Sequence, residues 1–128
     1  MTRHTLRIAL VISLSLPAFA YGRDSDAKLI LSGSQTEGSV TGGKTQSYLL
    51  QVLDTGTFVF KIDAETAACR TEIAKRSKRT QPATINQFPA SYIDQAVAGD
   101  VYTISFFQSR TAWVSKTDCK FVLSVSTH

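Results

Sequence analysis

Histidine is almost missing from this chain: of 128 residues two are histidine, His4 near the start and His128 at the C-terminus. General acid–base and nucleophilic catalysis usually lean on a positioned imidazole, and a terminal residue is poorly placed to supply one. The same scarcity removes the usual nitrogen ligand of a metal centre. Cysteine is equally sparse, with Cys69 and Cys119 isolated from one another. A membrane-spanning helix needs about 20 apolar residues, and the apolar run at residues 8–16 is roughly half that length.

That run belongs to a different pattern. Met1-Thr2-Arg3-His4-Thr5-Leu6-Arg7 is a basic start, Ile8-Ala9-Leu10-Val11-Ile12-Ser13-Leu14-Ser15-Leu16 is greasy, and Pro17 and Ala18-Phe19-Ala20 follow. Charge, apolar core and an A-x-A step in that order make a secretory signal peptide, residues 1–20, cleaved after Ala20. Tyr21 rather than cysteine follows the cut, so no lipid attachment site is expected. The product should be soluble in the periplasm or secreted. Of 128 residues about 108 remain, residues 21–128, enough for one domain and one core. Loss of Arg3 and Arg7 lowers the formal charge from +4 to +2. So small an excess gives no reason to expect a nucleic-acid partner.

An even cysteine count in an oxidising compartment reads as a disulfide, here Cys69 to Cys119. Closing so long a loop removes roughly 4 kcal/mol of unfolded-state entropy. Two free thiols or a metal pair are the alternatives, and the isolation of the cysteines and the lack of internal histidine fit neither.

What the chain does have is a period of two. Phe58, Phe60 and Ile62 share one face of a run at residues 57–63. Tyr102, Ile104 and Phe106 do so at 101–106, Phe121, Leu123 and Val125 at 120–126, and Tyr48, Leu50 and Val52 at 47–53. Residues two apart in a strand face the same way, so each run buries one side. Asp54-Thr55-Gly56 reads as a hairpin turn between two runs, and Ala98-Gly99-Asp100 precedes another. Residues 28–31 and 38–40 predict shorter strands. The fold class is all-β: a single small antiparallel, jelly-roll-like β-sandwich of about seven or eight strands with one disulfide.

Residues 64–79 have helix-friendly composition, with Asp63 as a possible cap and Glu72 four residues before Arg76. Their apolar residues form no stripe, so 67–74 reads as a strand and Lys75-Arg76-Ser77-Lys78-Arg79 as an exposed basic turn. That turn is a solvated surface, or it meets an anionic one such as lipopolysaccharide. Residues 80–94, with Pro82 and Pro89, read as loop with one short strand.

Gly38-Ser39-Val40-Thr41-Gly42-Gly43-Lys44-Thr45 matches the phosphate-loop pattern G-x-x-x-x-G-K-[ST]. A true phosphate loop is followed by a helix whose N-terminus holds the anion. Here Gln46-Ser47-Tyr48-Leu49-Leu50 alternates like a strand, so Gly42-Gly43 reads as a hairpin turn and no nucleotide is expected. Asp63 and Glu65 are candidate paired carboxylates by number alone, and read as solvated strand-end residues. Asp24-Ser25-Asp26 has too few oxygens for calcium and no turn glycine. Neither enzyme activity, nor a metal, nor a cofactor is expected.

Residues 108–119 read as a long loop at one end of the sandwich. Gln108, Ser109, Arg110, Trp113 and Lys116 give it donors, cations and a large aromatic, the composition of a binding hot spot. Alternatively, Trp113 folds back over the core and Arg110 pairs with a nearby carboxylate.

Gly38-Ser39-Val40-x-Gly42, Tyr48-x-Leu50, Ala98-Gly99-Asp100-Val101-Tyr102 and Phe121-x-Leu123-x-Val125 resemble a bacterial β-sandwich pattern. It is that of domains at the C-terminus of secreted peptidases and of the stand-alone periplasmic inhibitors of g-type lysozyme. The stand-alone form is the more similar, through Gln108-Ser109-Arg110 and Ser115-Lys116-Thr117-Asp118 before the final strand. The resemblance implies a protein partner, a lysozyme, whose cleft is blocked by a loop that sets Arg110, with Ser109, against catalytic carboxylates; Trp113 and Lys116, read from the loop's composition, are the further partner-binding candidates. Two positions depart from the pattern: its second arginine is Val114 here, and an aromatic is Gly43. A second reading is a module that binds glycan or envelope polymer through Trp113, Tyr92 or the basic turn.

Overall fold

The computed structural model describes residues 27–65, 68–78 and 81–128; the expected signal peptide of residues 1–20, Asp24-Ser25-Asp26 and Arg79 fall outside them. Alternation of period two produces nine strands among the described residues: β1 (Lys28–Ile30), β2 (Gln35–Val40), β3 (Gln46–Gln51), β4 (Gly56–Ala64), β5 (Cys69–Lys75), β6 (Ala83–Ile85), β7 (Ala90–Ala96), β8 (Val101–Gln108) and β9 (Cys119–Thr127). One short helix, α1 (Arg110–Val114), interrupts the run between β8 and β9. The strands form two facing sheets, a five-stranded one in the order β1-β3-β8-β5-β6 and a four-stranded one in the order β2-β9-β4-β7. Pairing is antiparallel throughout except that β1 runs parallel to β3.

Every face read from the alternation is the buried one. Tyr48, Leu50 and Val52, Phe58, Phe60 and Ile62, Tyr102, Ile104 and Phe106, and Phe121, Leu123 and Val125 fill the space between the sheets. At its centre Phe106 and Phe121 stack with centroids 3.7 Å apart and ring planes 2° from parallel. The Tyr48 ring meets both edge-on, at 5.9 and 6.0 Å, a favourable geometry for ring quadrupoles.

Several connections differ from their sequence reading. Gly42-Gly43 joins β2 to β3, and Asp54-Thr55-Gly56 joins β3 to β4, so each crosses from one sheet to the other instead of closing a hairpin. Alternation marks the buried face of a strand without saying which sheet holds it. The segment 80–94, read as mostly loop, contains β6 and most of a seven-residue β7. Its alternation is hidden because β7 turns a carboxylate, Asp94, toward the other sheet. Lys75, read as part of an exposed turn, ends β5 with its side chain only 9% exposed.

Asp94 and Lys75 explain one another. Lys75 Nζ lies 2.8 Å from Asp94 Oδ2 and donates to the Gln95 carbonyl at 2.7 Å. The Tyr102 hydroxyl donates to Asp94 Oδ2 at 2.7 Å, and Lys78 Nζ reaches Oδ1 at 3.4 Å. This polar cluster ties β7 of one sheet to β5 and β8 of the other. Burial by itself would raise the Asp94 pKa. The hydrogen bonds from Lys75, Tyr102 and Lys78 and the lysine charge outweigh it and hold the carboxyl below the usual aspartate range. Burial, and then the hydrogen bond to Asp94, pushes the Tyr102 phenol far up. An acid with a depressed folded-state pKa stabilises the fold above its unfolded value and loses that contribution as pH falls through the folded one. Asp94→Asn should therefore cost about 2 kcal/mol at neutral pH, the scale of hydrogen bonds to a charged group. It should also flatten the acid limb of the stability profile, measured by urea unfolding from neutral to acid pH. A parallel downward shift of the whole curve, with the acid limb unchanged, would contradict this role.

Candidate functional site

The end of the sandwich that carries residues 109–118 is built around the disulfide. Cys69 opens β5, Cys119 opens β9, and their bridge, with Cα atoms 5.2 Å apart, joins the two sheets. Cys69 also pairs in register with Gln108, the last residue of β8, and the Ser109 amide donates to the Ala68 carbonyl at 3.1 Å. The segment therefore leaves from one partner of Cys69 and returns at the other. Gln108 Nε2 donates to the Thr117 carbonyl and closes the stem.

Within the stem the chain is helical, a correction to the loop reading. Ser109 is the N-cap, its Oγ accepting from the Ala112 amide at 3.3 Å. Ala112 is the buried residue of the helix. At the other end the Ser115 amide bonds the Thr111 carbonyl at 3.1 Å and the Thr117 amide the Ala112 carbonyl at 3.2 Å. Lys116, with φ of 55°, takes the left-handed position between them, the closure that glycine usually makes. Both ends of one short turn are thus satisfied by its own residues. A Ser three residues before Ala112 was the available sign of the cap, but five helical residues are too few to show a 3.6 period.

The predicted site residues separate by role. Arg110 and Lys116 are exposed on the segment that carries α1. Val114 is 76% exposed and, four residues after Arg110, lies on the same helix face. Ser109 is half-buried, with its oxygen engaged as the cap. Trp113 is the fourth helical residue, and its side chain lies outside the described part. Arg110 has no ion pair among the described residues.

Other candidates lie elsewhere. Tyr92 turns inward and is half-buried against Phe60, with centroids 6.1 Å apart, so it offers no open stacking platform. The basic turn and His128 are at the opposite end from α1, where the His128 amide donates to the Thr57 carbonyl at 2.9 Å. After Lys44-Thr45 comes β3, so the phosphate-loop pattern presents a strand where its chemistry needs a helix N-terminus. Asp63 and Glu65 do come together, on the outer face of the four-stranded sheet. With Glu37 and Lys120 they rim an open groove of about 620 Å³ floored by Val122. Glu37 and Asp63 flank Val122 from the two neighbouring strands, a proximity that only strand register reveals. No set of three or more potential metal-ligating side chains gathers among the described residues.

No protein family and no curated protein matches the chain. Solved structures do. The pre-peptidase C-terminal domain of a Bacillus anthracis collagenase is 19% identical with a TM-score of 0.63, covering 78% of this chain and 94% of that one. PliG of Aeromonas hydrophila, a periplasmic lysozyme inhibitor of g-type lysozyme, is 18% identical with a TM-score of 0.61, covering 80% and 99%. Its Salmonella Typhimurium counterpart is 12% identical with a TM-score of 0.57 over the same shares. The chain therefore has the β-sandwich fold shared by pre-peptidase C-terminal domains and periplasmic inhibitors of g-type lysozyme.

Proposed function

We propose that this is an exported, non-catalytic binding protein that inhibits a lysozyme by placing α1 in its active-site cleft. One observation carries the reading: Arg110, Val114 and Lys116 stand exposed on the short helical connection between β8 and β9, whose ends are tied at the Cys69–Cys119 bridge. A rigid stem limits the entropy lost on docking, so contacts along it convert efficiently into affinity. Arg110 supplies a planar, permanently charged fork that matches a carboxylate in a desolvated cleft. Val114, on the same face, adds an apolar contact where the resembling pattern has a second cation. The sandwich shared with the PliG inhibitors supports this direction, and the signal-peptide pattern of residues 1–20 supports an extracytoplasmic location.

Arg110→Ala tests the mechanism. Removing one partner of a buried, charge-assisted contact costs about 2 kcal/mol or more, so inhibition should weaken about thirtyfold at least. Circular dichroism should be unchanged, because the side chain is exposed. An Arg110→Ala protein that inhibits as well as the parent would overturn the role of α1. The glycan-binding alternative has one observation in its favour, the groove rimmed by Glu37, Asp63, Glu65 and Lys120. Binding to purified cell wall that survives Arg110→Ala but is lost in Asp63→Asn would select it.

A further inference from the structure

Among the described residues four strands lie at sheet edges, β1 and β6 in the larger sheet and β2 and β7 in the smaller. An edge strand offers unpaired N–H and C=O groups, which natural proteins guard by brevity, charge or proline. β1 and β6 are three residues each, and β2 carries the exposed Glu37 at its middle. β7 has fewer of these guards: Lys75, reaching over from β5, covers the Gln95 carbonyl, and Pro89 stands just before the strand. Ala90-Ser91-Tyr92-Ile93-Asp94-Gln95-Ala96 contains neither lysine nor proline, and its single acid is turned inward to Lys75 and Tyr102. Its central Ile93 is 64% exposed.

Which backbone groups face the open side follows from β4. The Thr57 carbonyl accepts from His128, on the β9 side. Both backbone groups of a residue in an antiparallel ladder point the same way, so Thr57 turns away from β7. Its register partner Gln95 therefore turns away from β4, and by alternation so do Ile93 and Ser91. The bond from Lys75 Nζ to the Gln95 carbonyl agrees with this direction. Left at the edge are the Gln95 amide and both groups of Ile93 and Ser91.

We infer that a second copy of this chain pairs with this edge, β7 antiparallel to β7 about a two-fold axis at Ile93. The strand is complementary to itself in that register. Ile93 meets its own counterpart once, on the axis, while Ser91 meets Gln95, Tyr92 meets Asp94 and Ala90 meets Ala96, each of these twice. Apolar faces apolar, a hydroxyl faces an amide, a phenol faces a carboxylate, and small faces small. Val59, beside Ile93 in register, extends the apolar row into both subunits. A slip of two residues in one direction sets Asp94 against Asp94, and in the other it leaves Ile93 against Ser91. Like charges directly opposite destabilise a pair, and the loss of the apolar match removes the gain, so one register is selected. The two four-stranded sheets become one continuous sheet. α1 lies between β8 and β9, neither of them an edge, so it stays open in both subunits.

Sedimentation equilibrium of the oxidised mature protein over a range of concentrations should show a monomer–dimer equilibrium. Ile93→Lys, at an exposed position that leaves the core untouched, should sediment as a monomer throughout. Register is read separately by cysteine substitution. Ile93→Cys brings two thiols together on the axis, where paired Cα atoms about 5.5 Å apart suit a disulfide, so it should cross-link under mild oxidation. Gln95→Cys, which faces Ser91 across the pair, should not. A parent protein that is monomeric at every concentration would overturn the inference, as would an Ile93→Lys variant that dimerises like the parent. Equal cross-linking of the two cysteine variants would overturn the register.

Discussion

Replacing Cys69 and Cys119 together by alanine should lower the unfolding free energy by about 4 kcal/mol, read from urea titrations of oxidised parent and variant. The bridge closes a loop with a sequence separation of 50. Closure of that length removes roughly 4 kcal/mol of unfolded-chain entropy in the loop model. A small domain has about 5–15 kcal/mol in total, so the loss is a large share. The same change should act on α1 beyond its effect on global stability. With Cys69 no longer joined to Cys119, the stem keeps the Ser109 bond to Ala68 and the Gln108 bond to Thr117 but loses its covalent root. Amides of residues 110–117 should exchange faster in the variant even where the protein remains folded, while those of β4 and β8 keep their protection. Uniform acceleration across the sandwich would mean that the bridge stabilises the fold without bracing α1.

Gly38→Ala should cost about 2–3 kcal/mol, the range for forcing a methyl into a filled core. A Cβ at this position would overlap the Phe121 ring and lie 2.8 Å from the Tyr48 hydroxyl. Phe121 cannot give way, because Phe106 is stacked against its other face and Tyr48 abuts its edge. Gly56→Ala is the control, since a Cβ there meets nothing within 4 Å and the residue lacks a positive φ. It should change stability by about 0.5 kcal/mol or less. A thermal melt that separates the two substitutions by less than their errors would show that Phe121 has room to move.

That glycine also shows why the phosphate-loop pattern misleads. Gly38 lies beneath an aromatic stack, and Gly42 takes a φ of 60° where the chain crosses between sheets. Each has a local reason unrelated to an anion. The core was legible because period two is a local property: the inward faces of β3, β4, β8 and β9 follow from spacing alone. Sheet membership was not, since hairpins and crossings between sheets use the same glycines and aspartates. β7 was hidden by Asp94, whose partners Lys75 and Tyr102 sit on strands of the other sheet. At the candidate site the composition of residues 109–118 marked the segment. Its helical form, and the shared face of Arg110 and Val114, needed coordinates. The opposition of Glu37 and Asp63 across Val122 depends on register between three strands, which no single segment encodes.

The central claim is that α1 closes a lysozyme cleft. The most direct measurement is the lytic activity of g-, c- and i-type lysozymes on cell walls, with and without the purified, oxidised protein of residues 21–128. Stoichiometric loss of activity for one class is the predicted result and names the partner. Undiminished lysis by all three classes at molar excess of the protein would contradict the claim.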